Sequence, residues 1–320
     1  MAMKKVVGIT SALLVTALLF CSCNLQADVG ETEQGSEASE SETRQTLPKD
    51  TESTKKPTGF NFPKPPEPTG ELVDTLKVMT YNLQGGQPDG RTLTARSAMH
   101  AAKINLVDPD VVLLCEARNF DNWRQDLNVS VLTAKCDVKY GIIEFSEAES
   151  TNVILYNEEK FECLSAEALK LADGGDEYSR SAVIAVLRLK ESGEELVAVS
   201  THLDLNYFAT KEQIWEIINH MDESYSQYQT RIIAGDLNCE SFAATMLGGP
   251  NAVHEDGLLA SGYYSANQKP DRTYTHKSKI LDYVYFTGLY PTAYRVVTDA
   301  VGDYEPSDHY PVYAELGIYR

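Results

Sequence analysis

Several short polar clusters in this chain carry side chains able to bind a cation or move a proton. Thr80-Tyr81-Asn82, Leu114-Cys115-Glu116, Ser200-Thr201-His202 and Gly235-Asp236-Leu237-Asn238 each end an apolar, β-like run, and Ser307-Asp308-His309 precedes another. A strand that only has to stop can do so on Gly, Pro or Ser. Carboxylates, amides and imidazoles at those places therefore point to one shared active site. Glu116 closes the wholly apolar run Val111–Leu114, where a carboxylate is costly unless it is paired or holds a cation. As a hard oxygen donor it suits Mg²⁺ or Mn²⁺; the plain alternative is a surface ion pair. Asp236 and Asn238 are two apart, so an extended chain puts them on one side. The carboxylate can then orient or activate water while the amide donates to an anionic oxygen, although Gly-Asp-x-Asn is equally good turn chemistry. His202 and His309 are two of the six histidines, and either alone would read as structural.

The elements that must position these groups are mostly strands. Apolar or alternating runs predict strands over Leu76–Tyr81, Val111–Cys115, Asn152–Tyr156, Ala182–Leu189, Glu195–Thr201, Arg231–Ala234, Ile280–Phe286, Tyr294–Thr298 and Tyr310–Leu316. Runs apolar at every position imply burial on both sheet faces. One helix is expected over roughly Leu93–Leu106. Another is expected to open on a capping box made by Thr210 and Gln213, with Ile214, Ile217, Ile218 and Met221 as its core stripe. Trp123 and Trp215 read as packing residues, and His100, His220, His254 and His276 as structural or surface groups. Many strands with few helices predict an α/β fold of two packed sheets flanked by helices.

Composition divides the 320 residues into three parts. Residues 1–23 begin with Lys4 and Lys5, run apolar from Val6 to Phe20 and end at Cys21-Ser22-Cys23, a secretory signal too short for a membrane span. Ser22-Cys23 resembles the lipobox of bacterial lipoproteins, in which the cysteine is lipidated. Residues 24–70 are rich in Ser, Thr, Glu, Pro and Lys and read as a flexible tether. Residues 71–320 form the folded domain, with 21 Lys and Arg against 38 Asp and Glu, within a chain of net charge −19. That balance argues against affinity resting on a broad basic footprint for nucleic acid, yet leaves room for an enzyme that touches a few phosphates through a metal. Cys115, Cys136, Cys163 and Cys239 lack paired spacing, so zinc is not expected, and a Cys136–Cys163 disulfide is permitted by export.

The order of motifs resembles the endonuclease/exonuclease/phosphatase superfamily, the metal-dependent phosphoesterases related to DNase I. It is carried by Thr80-Tyr81-Asn82-Leu83-Gln84, Leu114-Cys115-Glu116, Ser200-Thr201-His202-Leu203, Gly235-Asp236-Leu237-Asn238, Leu281-Asp282-Tyr283-Val284 and Ser307-Asp308-His309-Tyr310-Pro311-Val312. The resemblance implies a DNase I-like four-layer α/β/β/α sandwich. It implies a metal site at Glu116 with Asn82 and Asp308, binding Mg²⁺ or Mn²⁺, with Ca²⁺ as a further structural ion. His309, held by Asp282, would take the proton of the attacking water. His202 would contact the phosphate and protonate the leaving oxygen, Asp236 and Asn238 would serve water and phosphoryl oxygen, and Arg180 would grip phosphate. An exposed, solvated arginine is the alternative for Arg180. Glu147 and Glu149 lie near the place of a second acid supporting His202, without a matching motif.

On this reading the chain is a secreted, surface-tethered phosphodiesterase, a nuclease acting on DNA or RNA. A phospholipid, sphingomyelin or inositol-phosphate phosphoesterase of the same fold is the alternative, and a degenerate binding module is the non-enzymatic one. Attack on lipid would need an exposed apolar loop, and none is evident in the sequence near the motifs. The expected partners are the phosphoester substrate and a membrane, reached through lipid on Cys23 at the extracellular face of a bacterial cell. No protein partner is expected, and the chain would act as a monomer.

Overall fold

The strands form two sheets whose order brings the polar clusters to the same edge of the molecule. The structure is a computed structural model that describes residues 62–86, 88–117, 129–145, 150–175, 179–240, 253–267 and 271–320. All of these belong to one compact unit, Lys55–Arg320. The first sheet contains β1 (Leu72–Asn82), β2 (Val111–Cys115), β3 (Tyr140–Glu144), β4 (Val153–Asn157), β11 (Tyr290–Val296) and β12 (Val312–Tyr319). The second contains β5 (Phe161–Lys170), β6 (Ser181–Leu189), β7 (Glu195–His202), β8 (Thr230–Asp236), β9 (Tyr264–Ser265) and β10 (Asp282–Thr287). Their orders are β11-β12-β1-β2-β4-β3 and β5-β6-β7-β8-β10-β9. Both are mixed, because β1 and β2 run parallel, as do β7 and β8, among antiparallel neighbours.

Three apolar clusters make the four layers. Between the sheets lie Val78, Val111 and Leu113 against Val183, Ala198, Ile232 and Val284. Outside the second sheet, Ile214, Ile217, Ile218 and Met221 of α3 (Tyr207–Ser224) cover Ile184, Val199 and Ile233, the stripe expected from the sequence. Trp215 packs at the margin of that cluster. Outside the first sheet, Leu93 and Ile104 of α1 (Leu93–Asn105) and Leu132 of α2 (Val129–Thr133) cover Met79, Val112 and Leu155. β2 is buried at all positions because a central strand between two covered faces has no solvent side.

Two expectations are corrected, and β3, β5, β9 and α2 form beyond the runs expected from sequence. The α3 cap is Asn206, whose side chain accepts from the Phe208 amide, and not a Thr210–Gln213 box. Thr210 and Gln213 are buried one turn further in, where the Thr210 hydroxyl donates to the carbonyls of Asp204 and Asn206, and Gln213 joins the Asp204 amide to the Ala172 carbonyl. β5 was not signalled: it is rich in Glu, Ala and Lys, weak strand formers, and is held as an edge strand by its long antiparallel register with β6. Residues 62–70, expected to belong to the tether, pack on the domain instead. Phe62 is buried edge-on against Tyr283 and Tyr285, Pro65 is buried, and Glu67 accepts from the Tyr290 hydroxyl. The folded unit therefore includes at least Phe62–Gly70. Cys136 and Cys163 are separate thiols. The signal segment, Cys23, Trp123, Glu147 and Glu149 lie outside the described residues. No helix among the described residues is long and apolar enough to cross a membrane.

Candidate active site

Strand register places most of the site. In the second sheet β8 lies between β7 and β10, pairing Asp236 with His202 on one side and with Asp282 on the other. In the first sheet Asn82 pairs with Cys115, so Glu116 emerges beside it, and the antiparallel entry of β12 brings Asp308 and His309 to the same end of β1. A cross-sheet hydrogen bond from the Ser200 hydroxyl to the Leu114 carbonyl at 2.9 Å ties the two sheets together, and within the first sheet's end the Ser307 hydroxyl donates to the Asn82 carbonyl at 2.6 Å. Gly235 is required sterically, since a Cβ there would sit 1.7 Å from the Thr201 carbonyl oxygen.

The result is a cavity of about 560 Å³ lined by Glu116, Arg180, His202, Asp236, Asn238, Asp308 and His309. Asn82 and Asp282 stand directly behind it. The Asn82 amide donates to Glu116 at 2.9 Å and to Asp236 at 3.0 Å, while its carbonyl oxygen accepts from the Gln84 amide. Glu116 also accepts from the Gly85 amide at 2.9 Å. The Asp236 carboxylate lies 3.5 Å from His202 Nε2 and 3.6 Å from His309 Nε2. His309 Nδ1 is 2.8 Å from the fully buried Asp282. Arg180 is buried at the cavity wall, which excludes the solvated alternative.

Backbone strain collects here as well. Gln84, Glu116 and Asn238 adopt φ of 54°, 49° and 49°, a left-handed region costing about 1–3 kcal/mol for a side chain that rarely visits it. In Asn238 the strain belongs to a turn in which Asp236 accepts the Asn238 amide at 2.9 Å. The Gly-Asp-x-Asn segment is thus turn chemistry and site chemistry at once.

Electrostatics separates the two histidines. Burial opposes charge on His309, but Asp282 and Asp236 overcome it and raise the imidazole to about 10. Burial, with Arg180 and His309 adding, drives His202 well below its ordinary value. The neutral His202 ring accepts at Nε2 from the Asn238 amide at 3.0 Å, and that amide also donates to the Leu203 carbonyl at 2.8 Å. Both Asn238 amide hydrogens are therefore committed within the protein, unlike the phosphoryl contact expected from sequence. Burial pushes Asp236 up to about 7, with His309 lowering it and Asp282 raising it. Burial also raises Asp308, with His309 opposing and Glu116 reinforcing the rise.

The oxygen donors suit a hard divalent cation. Glu116 and Asp308 line the same cavity, and the Glu116 charge adds to the cost of ionising Asp308, which a cation between them would relieve. Asn82, expected among the ligands, instead orients Glu116 by donating to it. Asp236, Asp282 and His309 also converge, with ligand atoms within 4.8 Å of one another, but His309 and Asp282 there are already bonded to each other. Among the described residues no separate acidic cluster marks the expected structural Ca²⁺.

The profile of the Endonuclease/Exonuclease/phosphatase family matches residues 79–309, a span that holds every one of these groups.

 Asn82 is the first site residue in that span and His309 the last. The chain belongs to this family. Its members are phosphoester hydrolases, commonly dependent on a divalent metal, and this chain is one of them. A family protein from Bacteroides vulgatus superposes with a TM-score of 0.62 at 18% identity, covering 77% of this chain and 99% of that one. A mannosyl-6-phosphatase from Bacteroides thetaiotaomicron gives 0.61 at 19%, covering 75% and 99%. D. rerio TDP2, solved with a single-stranded DNA product, gives 0.57 at 19%, covering 76% and 98%. At such identities the likeness establishes the fold alone. No curated protein sequence matches the chain.

Some cavity residues carry no motif in the sequence, namely Leu205, Tyr274, Lys277 and Lys279, and Gln84 closes a motif without a role assigned from sequence. Gln84 accepts the Asp308 amide through its side chain, and Tyr274 pairs with His309 through an isolated bridge with rings 5.1 Å apart. The Gly85-Gly86 pair after Gln84 is the one local hint of a tight loop there. Leu205 and Phe208 are 74% and 79% exposed, and Leu205 stands on the cavity rim. The absence of an apolar loop near the motifs, expected from sequence, is thereby corrected.

Proposed function

We propose that this chain is an exported phosphodiesterase, dependent on Mg²⁺ or Mn²⁺, that hydrolyses phosphodiester bonds of DNA or RNA. The observation that carries the nucleic-acid reading is the cavity wall. In a chain of net charge −19, three cations, Arg180, Lys277 and Lys279, line the cavity that also holds the catalytic acids. That arrangement suits a substrate with phosphates on both sides of the scissile one. The exposed pair Leu205 and Phe208 favours a second reading, an amphiphilic phosphodiester such as a phospholipid.

Glu116 and Asp308 would hold the cation, with Asn82 and the Gly85 amide orienting Glu116. A bound divalent ion supplies Lewis acidity at phosphoryl oxygen and offsets charge developing in the transition state. Arg180 offers a planar fork to the phosphate. The attacking water's proton was expected to go to His309. With His309 raised to about 10, its imidazolium is better placed to stabilise the phosphoryl oxygens, while Asp236, at about 7, is the proton acceptor near neutrality. Asp282 keeps the His309 ring charged and oriented. His202, neutral and accepting from Asn238, fixes that amide instead of protonating the leaving oxygen.

The test is a substrate panel of single-stranded and duplex DNA, RNA, sphingomyelin, inositol phosphates, mannose 6-phosphate and bis(p-nitrophenyl) phosphate, run with Mn²⁺ and with EDTA. Metal-dependent cleavage of oligonucleotides is expected, with loss in His309→Ala. Cleavage of lipid alone would replace the first reading with the second, and no hydrolysis of any substrate would refute both. We also propose cleavage of the signal, lipidation of Cys23 and display of a monomer on the outer face of the membrane. Detergent partitioning of wild type against Cys23→Ala, and light scattering of the purified domain, test those points.

A further inference from the structure

The inner face of α1 is basic where a covering helix would ordinarily be apolar. Arg96, His100 and Lys103 recur at helical spacing, and all three are fully buried. Buried cations are rare unless each finds partners, and here the partners are the loops that carry the cation-binding side of the site. The Arg96 guanidinium donates to the carbonyls of Leu83 at 2.9 Å, Gln84 at 2.5 Å, Gly86 at 2.9 Å and Arg91 at 3.3 Å. It also donates to the Pro306 carbonyl. These acceptors come from two segments far apart in the chain, the loop after β1 and the loop before β12. Lys103 donates to the Asp299 carbonyl at 2.5 Å and pairs with Glu305 at 2.8 Å, holding the second loop again. His100, driven well below its ordinary value by burial and then by Arg96, links Arg96 at 3.2 Å to the Tyr81 hydroxyl at 3.1 Å.

Each loop ends on a group of the site. Gly85 in the first loop donates to Glu116, and the Gln84 side chain accepts from the Asp308 amide in the second. Arg96 thus sits on the far side of a short chain of contacts whose near side is the Glu116–Asp308 pair. Nothing about packing alone asks for five carbonyls around one guanidinium. A helix needing only to cover β1 and β2 would do so with leucines, as it does at Leu93.

We propose that Arg96 is a positioning residue for the cation site: by gathering the β1–α1 loop and the loop preceding Asp308 onto one guanidinium, with Lys103 as a second anchor, it sets the separation of Glu116 and Asp308. This rests on the reading that those two carboxylates hold the divalent ion. Arg96 touches neither substrate nor cation. Its fork reaches several carbonyls at once, which a lysine ammonium on a flexible stem cannot do.

The test uses the full chain and Mn²⁺ alone, measured by isothermal titration calorimetry and by the Mn²⁺ electron paramagnetic resonance signal, well below the melting temperature of each variant. Arg96→Lys keeps the charge and removes the fork. It is expected to weaken Mn²⁺ binding at least tenfold while far-ultraviolet circular dichroism stays that of wild type. Lys103→Met is expected to weaken binding about threefold, and Thr94→Ala, on the same helix but outside the contacts, to leave it unchanged. A merely structural role would lower the melting temperature without moving the Mn²⁺ dissociation constant. Arg96→Lys that is folded and binds Mn²⁺ within twofold of wild type would overturn the proposal. Should Arg96→Lys fail to fold, Lys103→Met decides: unchanged Mn²⁺ affinity overturns the proposal, and weakened affinity supports it. Wild-type protein that binds no Mn²⁺ would instead overturn the cation reading itself, and the inference with it.

Discussion

Replacing Asp282 by Asn isolates the electrostatic part of the site. The carboxylate is fully buried and 2.8 Å from His309 Nδ1, and Asn preserves its shape while removing its charge. The lost charge-assisted hydrogen bond is worth about 1.5–3 kcal/mol. At 1.36 kcal/mol per decade this corresponds to a fall of about 10- to 150-fold in kcat/KM. Two further shifts should accompany it. His309 should titrate well below about 10, because its main favourable field is gone, and Asp236 should fall below about 7, because a like charge beside it is gone. The sign for stability follows. A histidine raised in the folded state stabilises fully below its unfolded value of about 6.5, and that contribution fades as pH rises through the folded value. Asp282→Asn should therefore cost most stability near pH 6 and progressively less towards pH 10. The assay is kcat/KM for bis(p-nitrophenyl) phosphate with Mn²⁺ across pH 5 to 10.5, paired with urea denaturation of both proteins at pH 6 and 10. A variant within threefold of wild type, with its alkaline limb unmoved, would refute the role given to the Asp282–His309 pair.

Other outcomes follow from single contacts. Asn82→Ala leaves Glu116 and Asp236 without the amide that bridges them, and should lower kcat/KM about 100-fold, with a raised Mn²⁺ requirement in the same assay. Gly235→Ala drives a methyl into the Thr201 carbonyl and should destabilise by about 3 kcal/mol or more, read as a lower urea midpoint with unchanged slope. Phe62→Ala removes a buried ring packed on Tyr283 and Tyr285 and should cost about 3 kcal/mol, lowering the thermal midpoint while leaving kcat/KM intact. Burial holds His254 down at about 4, so the unfolded chain takes up a proton first as pH falls. Stability should thus decline from pH 6.5 towards 4, by about 2 kcal/mol at pH 5, and a His254→Gln variant should show a shallower decline in urea titrations.

Much of the site was legible because it is built from strand ends. A strand fixes where its last residue points, so Asn82, Glu116, His202 and Asp236 could be read as one constellation from local apolar runs alone. The α3 stripe was legible for the same reason, since Ile214, Ile217, Ile218 and Met221 repeat at a local period. Its cap was not: the choice of Asn206 over Thr210 depends on where the chain leaves β7, which no propensity encodes. Roles within the site were less legible than membership. Which histidine is charged follows from distances to Asp236 and Asp282 across three strands, and those distances exist only in the folded sheet.

What the sequence determines by itself is therefore the family, the sheet-forming runs and the residues gathered at their ends, all matters of local pattern and order along the chain. The tertiary structure alone decides the rest. It pairs β5 with β6 against its own composition, brings Phe62 into the core, leaves Leu205 exposed at the cavity rim and turns the basic face of α1 inward. The common reason is that a polar or apolar side chain has no fixed meaning until its neighbours are known. Arg96 carries no signal in the sequence, and only the convergence of carbonyls from two distant loops makes its burial favourable.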